Sequence, residues 1–227
     1  MRTSAASLSR DGFKKMADSL QESAIAGEIF IVDDDPGVRA TLTTIFERAG
    51  YRVVAFADGA SFLAHARTAT PVSIILDVHI PGRTGLDILR ELHAQDYPAP
   101  IFIVSGQGDI PMAVDAIRAG ALDFIEKPFR GSEVVDRVKE AISAYSLRKQ
   151  DDPGLPEFFF PGREPLTRRE REVLATILRG ASAKEAGREL GISHRTIEVH
   201  RAKLMEKFGA RNVTDLMRIV FDQGQRR

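Results

Sequence analysis

From residue 28 onward the chain alternates short apolar runs with segments of helical period, and the alternation repeats five times. The runs are "EIFIV" (28–32), "RVVAF" (52–56), "VSIIL" (72–76), "IFIV" (101–104) and "LDFI" (122–125). Each is apolar nearly throughout, the pattern of strands covered on both faces in a parallel sheet. Between and after them, helical spacing predicts helices at about 36–49, 58–67, 84–94, 110–119 and 132–146, the last with Ser132 as its N-cap. Five βα units in series predict an α/β doubly wound, five-stranded parallel sheet over residues 28–147.

The rhythm stops at residues 148–164, "RKQDDPGLPEFFFPGRE", whose prolines and glycines mark an interdomain linker. Its Phe158, Phe159 and Phe160 are unusual for a solvated tether and are read as a segment that docks on one of the domains. Residues 165–227 are helical throughout, enough for a small all-α unit of four helices. Residues 1–27 are rich in Ser and Ala with little apolar pattern and read as a mobile extension, with Met16 as an alternative start. The chain holds no cysteine, so it has neither disulfides nor a thiolate metal site. No apolar run approaches the roughly 18 residues of a membrane span, and the N-terminus lacks the apolar centre of a secretory signal. These features predict a cytoplasmic protein with no membrane partner.

The net charge of zero conceals an asymmetry. Residues 28–147 hold 11 basic and 17 acidic side chains, a balance of −6, whereas residues 166–227 hold 14 and 8, a balance of +6. The acidic half suggests a cation site and the basic half a polyanion, most often nucleic acid.

In a parallel α/β sheet the loops at the carboxyl ends of the strands converge on one edge, and ligands bind there. Asp33, Asp34 and Asp35 follow the first strand, Asp77 ends the third, Ser105 ends the fourth and Lys127 follows the fifth. Adjacent carboxylates repel, by roughly 4 kcal/mol at 4 Å and an effective dielectric of about 20. A hard divalent cation, Mg²⁺ in particular, together with a phosphoryl group would relieve that repulsion. Asp35, just before Pro36 and Gly37, reads as the cap of the first helix.

"VDDD", "LDVHIPGRTG", "VSGQGD" and "EKP" occur in order, and residues 28 to about 145 resemble bacterial response-regulator receiver domains, which have a flavodoxin-like fold. The resemblance implies that Asp77 accepts a phosphoryl group from a sensor histidine kinase. It implies a Mg²⁺ ion held by Asp34, Asp77 and the backbone carbonyl of His79, with Asp33 acting through water. Ser105 would contact a phosphoryl oxygen, Lys127 would neutralise its charge, and Phe124 would be the aromatic that moves inward with that hydroxyl. The side chains of His79 and Gln107 would tune how long the phosphate survives.

The segment "AKEAGRELGISHRTIEVHRAKLMEKFG" reads as a helix-turn-helix, with Gly191 ending one helix and Ser193 capping the next. At 100° per residue Ile197, Leu204 and Phe208 share one face and must point to the core. The opposite side presents Arg195, Glu198, Val199 and Ala202, with Lys203 beside them. This domain resembles the LuxR/FixJ type, through "LTRREREVL" and "RTIEVHRAKLMEK", and the "EVHRA" wording is similar to the FixJ branch, which is common in rhizobia. The resemblance implies DNA contacts at Arg195, Thr196, Glu198, Val199, Arg201, Ala202, Lys203 and Lys207, with Glu198, Val199 and Ala202 at base edges and Arg195, Arg201, Lys203 and Lys207 on phosphates. In the last helix Val213, Leu216, Met217 and Val220 form a stripe that suits either a dimer face or the core.

Together these features predict a phosphorylation-activated transcription regulator rather than an enzyme, a homodimer on promoter DNA when phosphorylated, with RNA polymerase as a further partner. The FixJ resemblance extends this to control of nodulation or nitrogen-fixation genes. Two other readings stand beside it. One is a Mg²⁺-dependent phosphotransferase or phosphatase, and the other is a constitutive DNA-binding protein with a receiver used as scaffold.

Overall fold

The computed structural model describes residues 26–106, 110–150 and 165–224, and only the backbone of residues 110, 147–150 and 223–224. The first half is a sheet of β1 (Glu28–Val32), β2 (Arg52–Phe56), β3 (Ser73–Asp77), β4 (Ile101–Ser105) and β5 (Asp123–Glu126). The strands are parallel and lie in the order β2-β1-β3-β4-β5. Five helices alternate with them: α1 (Pro36–Arg48), α2 (Gly59–Ala66), α3 (Gly85–Glu91), α4 (Ile110–Arg118) and α5 (Gly131–Gln150).

The period-two geometry of a strand sends alternate residues to opposite faces. Phe30, Val32, Ile74, Leu76, Ile101 and Ile103 therefore face one apolar layer, shared with Phe62 and Leu63 of α2, Ile88 and Leu89 of α3 and Ala116 and Ile117 of α4. Ile29, Ile31, Ile75, Phe102 and Val104 face the other, shared with Leu42 and Phe46 of α1 and Val134 and Val138 of α5. Helices on both faces explain the unbroken apolar runs. β2 departs from that expectation: Arg52 and Ala55 are exposed, because the strand is the edge of the sheet.

Asp35 caps α1, its Oδ1 accepting the N–H groups of Gly37 at 2.7 Å and Val38 at 3.2 Å. Those bonds to its charged form hold the Asp35 carboxyl below the usual range. Ser132 does not cap the fifth helix; it lies inside α5, whose first turn closes on the Arg130 carbonyl through the Val134 N–H. α5 also runs to Gln150, beyond the expected start of the linker at 148. The rest of that linker, including Phe158, Phe159 and Phe160, and residues 1–25 with Met16 lie outside the described residues.

The second half is four helices: α6 (Arg168–Leu178), α7 (Ala183–Leu190), α8 (His194–Phe208) and α9 (Val213–Gly224). Thr167 with Glu170 and Ser182 with Glu185 form capping boxes at α6 and α7. Gly191 ends α7 at φ 63°, a left-handed conformation that glycine adopts without strain. Ile197, Leu204 and Phe208 are buried in one core with Val173, Leu174, Ile177 and Leu190. Leu216 and Val220 join that core and Val213 and Met217 pack against it, so the stripe on α9 faces the domain's own core. Among the described residues no helix is long and apolar enough to cross a membrane.

Candidate functional site

The strand order reverses direction between β1 and β3, and open α/β sheets bind ligands at such a switch point. Asp33 leaves β1 there and Asp77 ends β3 there; both are nearly inaccessible to solvent. Lys127 reaches across from the end of β5 and its Nζ donates to Asp33 Oδ2 at 2.9 Å and to Asp77 Oδ1 at 2.8 Å. The second oxygen of Asp77 accepts the His79 N–H at 2.7 Å. Asp33 Oδ1 accepts the Asp35 N–H at 2.9 Å, and Arg39 donates to the Asp33 carbonyl at 2.7 Å.

Burial pushes the Asp77 carboxyl up, and the hydrogen bond and charge of Lys127 offset part of that. Burial pulls the Lys127 ammonium down, but Asp77 and Asp33 outweigh it and hold the ammonium above the ordinary lysine range. Lys127 is thus joined to both carboxylates, and Asp77 stands beside a positive charge. Such an arrangement can attack a phosphoryl group and keep the product charge neutralised.

Ser105 is buried at the end of β4, where its carbonyl accepts the Lys127 N–H at 2.7 Å. Asp34 is exposed. The oxygens of Asp33, Asp34, Asp77 and the His79 carbonyl suit Mg²⁺ in kind. Among the described residues, however, no three carboxylate or imidazole groups already converge as a metal site, because Lys127 bridges Asp33 and Asp77. Gln107 lies outside the described residues.

The second constellation joins the two halves. Ser193 caps α8 by accepting the Thr196 N–H at 3.1 Å, and the same end of the helix docks on β5. Asp123, fully buried, accepts the Ser193 N–H and hydroxyl at 2.9 Å each and the Thr196 hydroxyl at shorter range. Arg137 of α5 completes the cluster with an ion pair to Asp123. Arg195 lies over the Phe124 ring, 6.0 Å from its centroid, and 3.5 Å from Glu126. Val199 packs into the apolar layer that contains α4, and Leu122 packs against the α6–α9 core. Phe124 is buried at this junction.

Several sequence expectations for α8 change here. Thr196 is wholly buried against Asp123, so in this arrangement it faces the receiver half and not a DNA groove. Lys203 and Lys207 are not free phosphate contacts: their ammoniums lie 3.2 and 3.0 Å from the buried Glu170 carboxylate. Burial alone would raise the Glu170 carboxyl, but the Thr167 N–H and the two ammoniums hold it below the usual range. Arg201 is committed to the Ala181 carbonyl at 2.7 Å and to Glu198 at 3.2 Å. Glu198 and Ala202 are exposed, while Arg195 and Val199 lie against the first domain. Sequence reasoning missed Asp123, a single polar residue inside an apolar strand, and that anomaly was its one signal.

Comparison with known proteins places both halves. Residues 29–139 match the response regulator receiver domain and residues 164–220 match the luxR family of bacterial regulatory proteins. The chain is 38% identical over 191 residues to response regulator protein TmoT of Ectopseudomonas mendocina, covering 84% of this chain and 86% of that protein. It is 34% identical to transcriptional regulatory protein FixJ of Bradyrhizobium diazoefficiens, covering 87% of this chain and 96% of that one. It is also 34% identical to nodulation protein W of the same organism, with 87% of each chain covered. The crystal structure of full-length FixJ from B. japonicum matches with a TM-score of 0.54 at 32% identity, covering 90% of this chain and all of that one. With a buried aspartate–lysine pair at the sheet's switch point and a helix-turn-helix behind it, the chain belongs to the FixJ branch of the two-component response regulators, DNA-binding regulators of transcription.

Proposed function

We propose that Asp77 accepts a phosphoryl group from a sensor histidine kinase and that this releases α8 from the receiver half to bind promoter DNA. The observation that carries the reading is the placement of β5. Its first residue, Asp123, holds the N-terminus of α8, and Lys127, just past its end, holds Asp77. A change in charge at Asp77 pulls on Lys127 and so acts on the strand that anchors the DNA-reading helix. Ser105 and Phe124, at the ends of β4 and within β5, are the remaining switch residues.

Asp33, Asp34, Asp77 and the His79 carbonyl would hold Mg²⁺, whose charge would screen the incoming phosphoryl oxygens. Once α8 is free, Glu198, Val199 and Ala202 would meet base edges, with Arg195, Thr196 and Arg201 beside the backbone. Dimerisation on a two-fold operator and contact with RNA polymerase complete the reading, as does a cytoplasmic setting. The division is a receiver from residue 28 through the end of α5 at Gln150, a linker up to 164 and the DNA-binding domain at 165–227. No enzymatic turnover is needed: the phosphoryl group is the signal. Nodulation protein W among its relatives supports control of nodulation genes.

The test is promoter binding by the wild type and by Asp77→Asn, each with and without the phosphoryl mimic beryllofluoride. Wild type should gain DNA affinity and the variant should not. Equal affinity in all four samples would favour a constitutive DNA-binding protein, and turnover of a small phosphoester would favour an enzyme.

A further inference from the structure

Between the two halves lies a partly open cavity of about 200 Å³, on the far side from Asp77. Tyr97, Ile101, Ile117 and Leu122 line it from the receiver and Arg169 and His200 from the DNA-binding domain. Its walls are mostly apolar, yet three polar groups there make no hydrogen bond to the protein. They are the Tyr97 hydroxyl, both ring nitrogens of His200 and the Arg169 Nε–H, all buried. Buried polar atoms are nearly always paired, so this concentration calls for a partner.

The chemistry narrows that partner. The buried charges at the cavity are already matched, and Asp96, Arg118 and Arg168 are exposed at its rim. Arg169 donates to Glu172 at 2.6 Å and to the Leu190 carbonyl at 3.0 Å, and Lys203 pairs with Glu170 at 3.2 Å. A charged guest would be buried without a counter-ion, which is costly. What remains is a neutral imidazole and a phenol, each able to donate and accept, with one further donor. For scale, an apolar cavity of about 150 Å³ holds benzene. We infer that this interdomain cavity is a binding site for a small neutral molecule with the bulk of a six-membered ring and one hydroxyl or carbonyl oxygen. Because the site takes its walls from both domains, such a molecule binds only the closed arrangement. It therefore opposes phosphorylation, and phosphorylation lowers its affinity by the same factor. The linkage rests on the closed state proposed above.

The experiment uses the full-length unphosphorylated protein with phenol and cyclohexanol as probes and benzoate as the charged control. Binding is followed by the imidazole nitrogen signals of ¹⁵N-histidine-labelled protein and by calorimetry. Both neutral probes should move the His200 signals, and benzoate should bind at least about tenfold more weakly. Tyr97→Phe should weaken phenol about threefold to tenfold, the worth of one neutral hydrogen bond. Ala99→Leu, which fills the cavity from a buried wall position, should abolish binding. Beryllofluoride should also release the probe.

An unmoved His200 signal would mean that the cavity holds water only, and binding unaffected by both variants would place the probe elsewhere; either result overturns the inference. Small-angle scattering of the probe-free protein tests the closed arrangement separately. An extended particle there would refute the autoinhibited reading, whereas a compact one that ignores the probes would refute only the ligand site.

Discussion

Asp123 and Ser193 stand seventy residues apart in the chain, yet the backbone N–H of Ser193 donates to the Asp123 carboxylate at 2.9 Å and its hydroxyl does the same. The first turn of the DNA-reading helix is thus bonded to the receiver's fifth strand. Asp123→Asn keeps the shape and one acceptor oxygen but removes the charge that strengthens every bond in the cluster. Hydrogen bonds to charged groups contribute roughly 1.5–3 kcal/mol each, and losing part of one such bond corresponds to about tenfold in affinity. Unphosphorylated Asp123→Asn should bind promoter DNA about tenfold more tightly than wild type in a fluorescence anisotropy titration. Unchanged or weaker binding would show that this contact does not restrain α8.

Lys127 is the cation between Asp33 and Asp77. Lys127→Met leaves both carboxylates facing one another, with Asp77 already pushed upward by burial. Stability at pH 7 should fall by roughly 1–3 kcal/mol in urea unfolding. A carboxyl whose folded value is raised regains stability when it takes up a proton, so the deficit should shrink as the pH is lowered towards 4. The variant should also lose the increase in DNA affinity that beryllofluoride produces in wild type.

Gly187 is buried in α7, and a Cβ there would lie 2.7 Å from the Ile192 carbonyl oxygen and 3.3 Å from the His194 nitrogen. Both neighbours are backbone of the turn into α8, which cannot rotate aside as a side chain would. Gly187→Ala should cost roughly 1–3 kcal/mol of stability, as overpacking does. Thermal unfolding followed at the helical signal will show whether the turn is as tight as this.

Burial holds the His200 imidazole down to about 4, and Arg169 and Lys203 push the same way against the weaker pull of Glu170 and Glu172. In the unfolded chain the ring takes up a proton near its ordinary value of about 6.5. Between those values the unfolded state binds more protons, so stability must fall as the pH falls. Going from pH 7 to pH 5 should remove roughly 2 kcal/mol through this residue alone. His200→Phe should remove that part of the pH dependence, which urea midpoints at the two pH values will measure.

The strand ends were legible in the sequence because each follows an apolar run, and a parallel sheet brings all such ends to one edge. Asp35 as a cap and Ile197, Leu204 and Phe208 as core followed from local spacing, which does not depend on the partner domain. Arg195 and Val199 read as groove-facing because a helical wheel reports what faces away from the domain's own core. It cannot report that another domain covers that face. The pairing of Lys203 and Lys207 is hidden for a related reason: Glu170, which holds them, comes from a helix far away in sequence. The stripe on α9 was ambiguous because core and dimer faces have the same composition.

Ser193 serves two partners with different atoms. Its hydroxyl oxygen accepts the Thr196 N–H within α8, while its hydrogen is directed to Asp123. On the proposed release, both bonds from Ser193 to Asp123 are lost and the inward cap stays. The DNA-reading helix therefore leaves the receiver already formed, and its first turn need not be rebuilt before it meets a groove. Activation is then the swing of a finished part, whose speed is that of domain motion and not that of folding.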